Sequence, residues 1–346
     1  MKMATRIVAM ICLAACAVIR PATAETMRFG GPTMGTAYHV RFVADEAAQI
    51  DVERLQNEVE ELLREIDRQM STYRDDSELS RFNRAPAGEW FPVSAATAEV
   101  VAAAQEISRK TDGALDVTVG PLLKLWRFGP DEPAASNARR NFTPPSEALL
   151  NVARDKMGYQ KLEVQTDPPA LRKLADGIEV DLSSIAPGYA VDRMAGILIQ
   201  HGLENFMVEI GGEVRVVGHR EDGKPWRVAI ERPIVGRREM QMVVPLVDEA
   251  ISTAGNYRKY FEHEGRRYSH IVDPTTGRPV EHDLASVTVV ADTCLAADGW
   301  DTALLVMGPE RGFRFADQNG IAALFISRGG QEKLRSTLAW QARFEE

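Results

Sequence analysis

Cysteine is scarce in this sequence: Cys12, Cys16 and Cys294 are the only three in 346 residues, and two of them lie within the first twenty. A disulfide framework is therefore excluded, and stability has to come from an apolar core. Positive charge is in short supply as well. A formal net charge of −9 leaves no surplus of lysine and arginine to neutralise a phosphate backbone, which excludes an electrostatic nucleic-acid binder. A small polyanion held by a few local groups stays within reach. Long hydrophobic runs are almost missing. The apolar stretch at 7–19 is too short to cross a bilayer comfortably, and no second run of transmembrane length follows it. Internal repeats and low-complexity tracts are absent too, so a solenoid is excluded.

What is present suits a folded domain. An apolar content of 45% is enough for a sizeable core, in one large or two modest domains. Lys2 and Arg6 precede the apolar run, as in an export signal over residues 1–24. Two processing points compete. Leu13-Ala14-Ala15-Cys16 resembles a lipoprotein box ending before Cys16, and Ala22-Thr23-Ala24 fits ordinary cleavage before Glu25. Either way the mature protein, with residues 25–346 as its folded domain, is expected outside the inner membrane, soluble or tethered by lipid.

Periodicity predicts a mixture of helices and strands. Val52, Leu55, Val59, Leu62, Leu63, Ile66 and Met70 recur at three- and four-residue spacing and predict an amphipathic helix. A second helix is predicted from Ser94, as N-cap, to Thr111. Ala37–Phe42, Phe206–Ile210, Met240–Leu246, Ser286–Val290 and Leu324–Ile326 read as strands. The Asp112–Leu122 stretch reads as a short apolar strand interrupted by Asp116, whose carboxylate needs donors from the backbone or from a ligand. Residues 177–192 read as a strand turning into a helix with Pro187 in its first turn and Gly202 ending it, a junction that favours anions. Gly129–Pro145 reads as an exposed excursion.

Two places carry the chemistry. Ser269–Pro279 holds two prolines and a glycine, hence a rigid turn, and it presents His270 and Asp273 three positions apart. One reading makes this a catalytic loop; the other has Asp273 and Thr276 bonding the turn's own backbone. On the helix predicted from Thr293, Asp298, Asp301 and Thr302 stand at i, i+3 and i+4, so their oxygens share one face. That pattern suits a hard cation such as magnesium, which takes a few protein oxygens and completes its octahedron with water or phosphate. An ordinary solvated helix face is the alternative.

Eight separated motifs occur in an order that resembles one family. They are Thr33-Met34-Gly35-Thr36, Leu79–Asn83, Asp116–Pro121, Asp181–Asp192, Ile210-Gly211-Gly212, Ser252–Tyr257, His270–Pro279 and Ala297–Thr302. Together they resemble the ApbE family of FAD:protein FMN transferases, from about residue 30 to 330. The resemblance implies an α+β class, a mixed α/β two-lobed flavin transferase fold with the active site between the lobes. It implies magnesium-dependent transfer of the FMN half of FAD to a threonine hydroxyl of a target protein, with release of AMP. The implied partners are FAD and threonine-bearing subunits of electron-transport complexes. Carried over by motif, Met34, Tyr73, Ala114, Leu115, Asp116, Asp181 and Val272 hold FAD. Ser184, Asp298, Asp301 and Thr302 hold Mg2+, and His270 is catalytic. Asp273 either orients the reacting groups or shares the proton transfer. Pro187 departs from the pattern, because relatives often carry lysine or another polar residue there. Two alternatives remain: an FAD pyrophosphatase giving FMN and AMP, and a non-catalytic periplasmic flavin-binding protein.

Overall fold

Along Thr36–Ala44, Tyr38, Val40, Phe42 and Ala44 are buried while His39 and Arg41 are exposed, the two-residue period that makes a half-buried strand. This strand belongs to an eight-stranded sheet in which every neighbouring pair is antiparallel. The order is Glu25–Thr33, Thr36–Ala44, Phe206–Ile210, Glu213–Val217, Ala250–Gly255, Leu284–Ala291, Ala322–Ser327 and Lys333–Ser336. The structure is a computed structural model and describes residues 25–44, 50–129, 142–234, 236–328 and 333–345. The export signal, with Cys12 and Cys16, lies outside the described residues, as does most of the 129–145 excursion.

Eight helices are described: α1 (Val52–Met70), α2 (Glu78–Arg84), α3 (Ala95–Lys110), α4 (Gly120–Leu125), α5 (Glu147–Asp155), α6 (Ala186–Gln200), α7 (Cys294–Gln318) and α8 (Leu338–Phe344). On α1 the predicted stripe is real. Leu55, Val59, Leu63, Ile66 and Met70 are buried, each contributing roughly 1.5–3 kcal/mol by removal from water. α6 and α7 cover one face of the sheet, α1 lies on α6, and α3 lies against α7. The opposite face carries the Trp226–Glu231 and Met240–Leu246 hairpin together with α8, around Val216, Leu324 and Trp340. Leu284–Ala291 is covered on both faces, which is why residues of both parities are buried, Ser286 and Thr288 included. Among the described residues no helix is long and apolar enough to cross a membrane.

A smaller aromatic core forms apart from the sheet. Trp126, Phe142, Phe261 and Tyr268 pack with Leu122, Leu150 and Val272. Phe261 and Tyr268 stack with centroids 5.2 Å apart, and Trp126 stacks on Tyr268 at 5.6 Å. This core seats the loop that bears His270.

Two local expectations change. Residues 112–122 form turns leading into α4, not a strand; their one ladder contact is the isolated bridge Val119–Glu179. The same bridge is all the strand character in residues 177–185, because Asp116 and Asp181 turn the chain by bonding their own backbone. The Leu79–Asn83 motif is helical, with Ser77 capping α2 through the Ser80 amide at 2.9 Å.

Candidate active site

The face of α7 predicted from spacing is buried, not solvated. Asp298 is 6% exposed and Asp301 1%, while Thr302 is half-buried. Asp298 accepts the Gly188 amide at 2.8 Å, so one N–H at the start of α6 is spent on a carboxylate of α7. Gly188 is required for this approach: a Cβ there would lie 2.4 Å from the Cys294 carbonyl oxygen. Neither carboxylate oxygen of Asp301 has a hydrogen-bond partner. Ser252 Oγ lies near enough to favour the ionised form of Asp301 but lacks hydrogen-bond geometry.

Burial drives the electrostatics here. It pushes Asp301 well above the usual carboxylate range, with the Asp298 charge adding to the effect, and it raises Asp298 to about 7. Glu213, at the start of its strand after Gly211-Gly212, is pushed up to about 8 by burial and then by Asp298. Asp298 and Asp301, with the half-buried Glu213 relieved only in small part by Arg258, are costly to ionise together unless protonated or met by positive charge. Hard oxygen donors, one of them wholly unpartnered, fit magnesium. Ser184 lies in the turn directly before α6 and Thr302 one residue beyond Asp301, so hydroxyls flank the carboxylates. Among the described residues no three His, Cys, Asp or Glu side chains close a metal cage, so an ion here would also need hydroxyl, water or substrate oxygens.

A second wall continues from the turn before α6. The Asp181 amide donates to the Val117 carbonyl at 2.8 Å, which ties the Ala114–Val117 segment to residue 181. Asp181 also accepts the Ser183 amide at 2.9 Å and the Thr72 hydroxyl at 3.4 Å. Partial burial and then the Asp181 charge raise the neighbouring Tyr73 phenol, yet Tyr73 remains 70% exposed, a broad aromatic surface left open. Asp116 is buried and its donors are internal: the Thr118 amide at 2.8 Å, the Thr118 hydroxyl at 2.6 Å and the Tyr159 amide at 2.9 Å. Burial still outweighs them and raises its pKa. Ala114 and Leu115 are buried beside it, and the Leu115 carbonyl accepts the Ser108 hydroxyl at 2.5 Å.

Met34 occupies a tight two-residue hairpin between Thr33 and Thr36 at φ 47°, followed by Gly35 at φ 72°. Such a turn wants positive φ twice, and methionine in this region stores strain, which marks functional sites more often than neutral ones. The turn adjoins Gly211, whose Cβ would meet the Thr36 methyl at 3.2 Å, and so reaches the strand that carries Glu213.

In the His270 loop, Val272-Asp273 pairs with Arg278-Pro279, and the Trp126 indole donates to the Gly277 carbonyl at 2.7 Å. Val272 is buried in the aromatic core, while Ile271 packs against the apolar cluster under α7. The loop is thus pinned between the two. Asp273 accepts the Thr275 amide at 2.8 Å and Thr276 accepts the Arg278 amide at 3.3 Å, so both shape the turn. His270 Nδ1 lies 3.1 Å from the Lys259 carbonyl. A carbonyl only accepts, so Nδ1 is the donor here, and in the neutral imidazole the lone pair lies on Nε2.

The sequence pattern of the ApbE family matches residues 34–325. The chain belongs to the ApbE family. It is 48% identical over 303 residues to a protein of Vibrio cholerae named FAD:protein FMN transferase, spanning 88% of each chain. A protein of the same name from Salmonella typhimurium is 41% identical, with 87% of this chain and 84% of that one covered. The solved flavin transferase ApbE of Vibrio cholerae superposes with a TM-score of 0.83 at 43% identity, over 93% of this chain and all of that one. The Pseudomonas stutzeri flavinyl transferase ApbE gives a TM-score of 0.84 at 43% identity, over 93% of this chain and 98% of that chain. The mixed helix-and-strand fold is that of ApbE flavin transferases.

Sequence reasoning assigned no individual role to Glu213 or Ser252, which the structure places beside Asp298 and Asp301. A glutamate directly after Gly211-Gly212 was the available signal for the first. Ser252 lies on the central strand Ala250–Gly255, which packs against α7.

Proposed function

We propose that the protein transfers the FMN half of FAD to a threonine hydroxyl of a target protein, forming a phosphoester and releasing AMP. In this reading Ser184, Asp298, Asp301 and Thr302 hold Mg2+, and Met34, Tyr73, Ala114, Leu115, Asp116, Asp181 and Val272 contact FAD. The observation that carries it is the buried, unpartnered Asp301 carboxylate on a helix beside the pinned His270 loop, in a chain of the ApbE family. Bound magnesium would neutralise charge on the pyrophosphate oxygens. The threonine oxygen attacks the FMN phosphorus as its proton passes to His270 Nε2. The pyrophosphate P–O bond breaks, and AMP leaves with that electron pair. Asp273 acts on the same step by holding the turn. The Tyr73 face offers a stacking surface, and Ala114 and Leu115, being buried, offer backbone rather than side chains.

The localisation that fits is export to the periplasm, with processing before Glu25 or a lipid anchor at Cys16 in the inner membrane. Acceptors are then flavin-bearing subunits of electron-transport complexes. The test is to incubate purified protein with FAD, Mg2+ and a threonine-bearing acceptor domain. Covalent flavin on that threonine, lost in His270→Ala, is the expected result. Rapid FMN and AMP release with no acceptor would favour a pyrophosphatase instead.

A further inference from the structure

Two arginines converge on one asparagine at the root of the hairpin that leads into His270. Arg267, on the Arg266–Ser269 strand, donates from Nη2 to the carbonyls of Asn256 at 3.2 Å and Tyr257 at 3.0 Å. Its guanidinium lies over the Tyr260 ring, with Cζ 3.5 Å from the centroid. Arg328, at the end of the Ala322–Ser327 strand, donates from Nη2 to the side-chain oxygen of Asn256. Asn256 is buried and fixed to the main sheet by its amide on Ala285 O at 3.0 Å and Nδ2 on Leu284 O at 2.9 Å.

The charges in this arrangement are unbalanced. Other enclosed arginines have carboxylate partners, as Arg215 has Asp192 and Arg172 has Glu163. Among the described residues, Arg267 and Arg328 bond only to amide oxygens; Glu262 and Asp283 attract them from beyond ion-pair distance. Burial disfavours both charges, and Arg267 disfavours that of Arg328 further. Arginine stays charged regardless, so two like charges persist side by side. Arg267 Nε is buried with no acceptor, and orphaned buried donors are rare enough to require a partner.

We propose that Arg267 and Arg328, meeting at Asn256, bind a small phosphate-class oxyanion, and that this anion ties the His270-bearing hairpin to the end of the main sheet. Planar guanidinium forks match phosphate oxygens, and an anion between them turns mutual repulsion into two attractions. The site uses none of the α7 carboxylates, and its binding is measurable without flavin transfer.

The experiment is calorimetric titration of inorganic phosphate, with chelator present and ionic strength held by chloride, into the wild-type protein and into Arg328→Met, Arg267→Met and Arg328→Lys. Phosphate should bind the wild type, and either methionine variant should weaken it by about tenfold or more, while Arg328→Lys keeps most of the affinity. Arg328→Met breaks one hydrogen bond and removes one like charge, so it carries the test if Arg267→Met does not fold. A parallel titration with AMP separates sources. AMP binding lost in Arg328→Met assigns a nucleotide phosphate; AMP binding that survives leaves free phosphate as the occupant. No phosphate binding by the wild type, or equal binding by wild type and Arg328→Met, overturns the proposal.

Discussion

Raising the pH of metal-free protein from 5 to 8 is the perturbation that bears most directly on the carboxylate site. Glu213 rises from 4.5 to about 8 on folding, because burial and Asp298 disfavour its charge. A raised acid binds its proton more tightly in the folded than in the unfolded state. Stability is therefore greatest below the unfolded value and falls as pH climbs toward the folded one. A difference of about 3.5 pH units, at about 1.36 kcal/mol each, amounts to on the order of 5 kcal/mol for Glu213. Asp298 shares this coupling and its contribution cannot simply be added. Against a typical total of about 5–15 kcal/mol the loss is large, and Tm should fall by on the order of 10 °C. His282 opposes it: burial lowers that imidazole, so its contribution grows as pH rises through the unfolded value. Glu213→Gln isolates the effect. The assay is differential scanning calorimetry with chelator at pH 5, 6, 7 and 8, repeated with Mg2+, whose stabilisation should increase with pH as cation replaces proton. A wild-type Tm that does not fall across this range, or a Glu213→Gln slope equal to the wild type's, would refute the reasoning.

Asp301→Asn removes the unpartnered carboxylate; it should abolish Mg2+-dependent stabilisation and flavin transfer, read by calorimetry and an acceptor-labelling assay. Asn83 clamps the segment before Asp181, giving Nδ2 to Val180 O and taking the Val180 amide, both at 2.8 Å. Asn83→Ala should cost about 1–3 kcal/mol in denaturant unfolding and raise KM for FAD more than it lowers kcat. Trp126→Phe keeps the aromatic core but leaves the Gly277 carbonyl unpaired; about 1–3 kcal/mol should be lost, with kcat reduced and FAD affinity retained. Gly188→Ala places a methyl against the Cys294 carbonyl and should destabilise by about 1–3 kcal/mol or more, with loss of Mg2+ binding by titration.

Local periodicity and spacing were enough, by themselves, to determine a good deal of this protein. The stripe of α1, the Ser94 cap, the strands around Val208 and Val289 and the shared face of Asp298, Asp301 and Thr302 all follow from repeats of two or 3.6 residues. The ordered motifs pointed to the ApbE family for the same reason: each lies within one short segment. Tertiary structure alone decided what those segments do to one another. Whether the α7 face is solvated or buried depends on α6 closing over it through Gly188, about 110 positions away in the chain. Asp116 looked like the interruption of a strand and Asp181 like part of a strand entering a helix, yet both turn the backbone and bring the 114–117 and 181–184 segments side by side. Glu213 carries no local mark of a carboxylate pushed up to about 8, since its enclosure and its neighbour Asp298 come from other elements. Hydrogen-bonding and hydrophobic periods are local properties of a chain; burial, charge coupling and the meeting of Arg267 with Arg328 are set by distances that only the assembled sheet and helices establish.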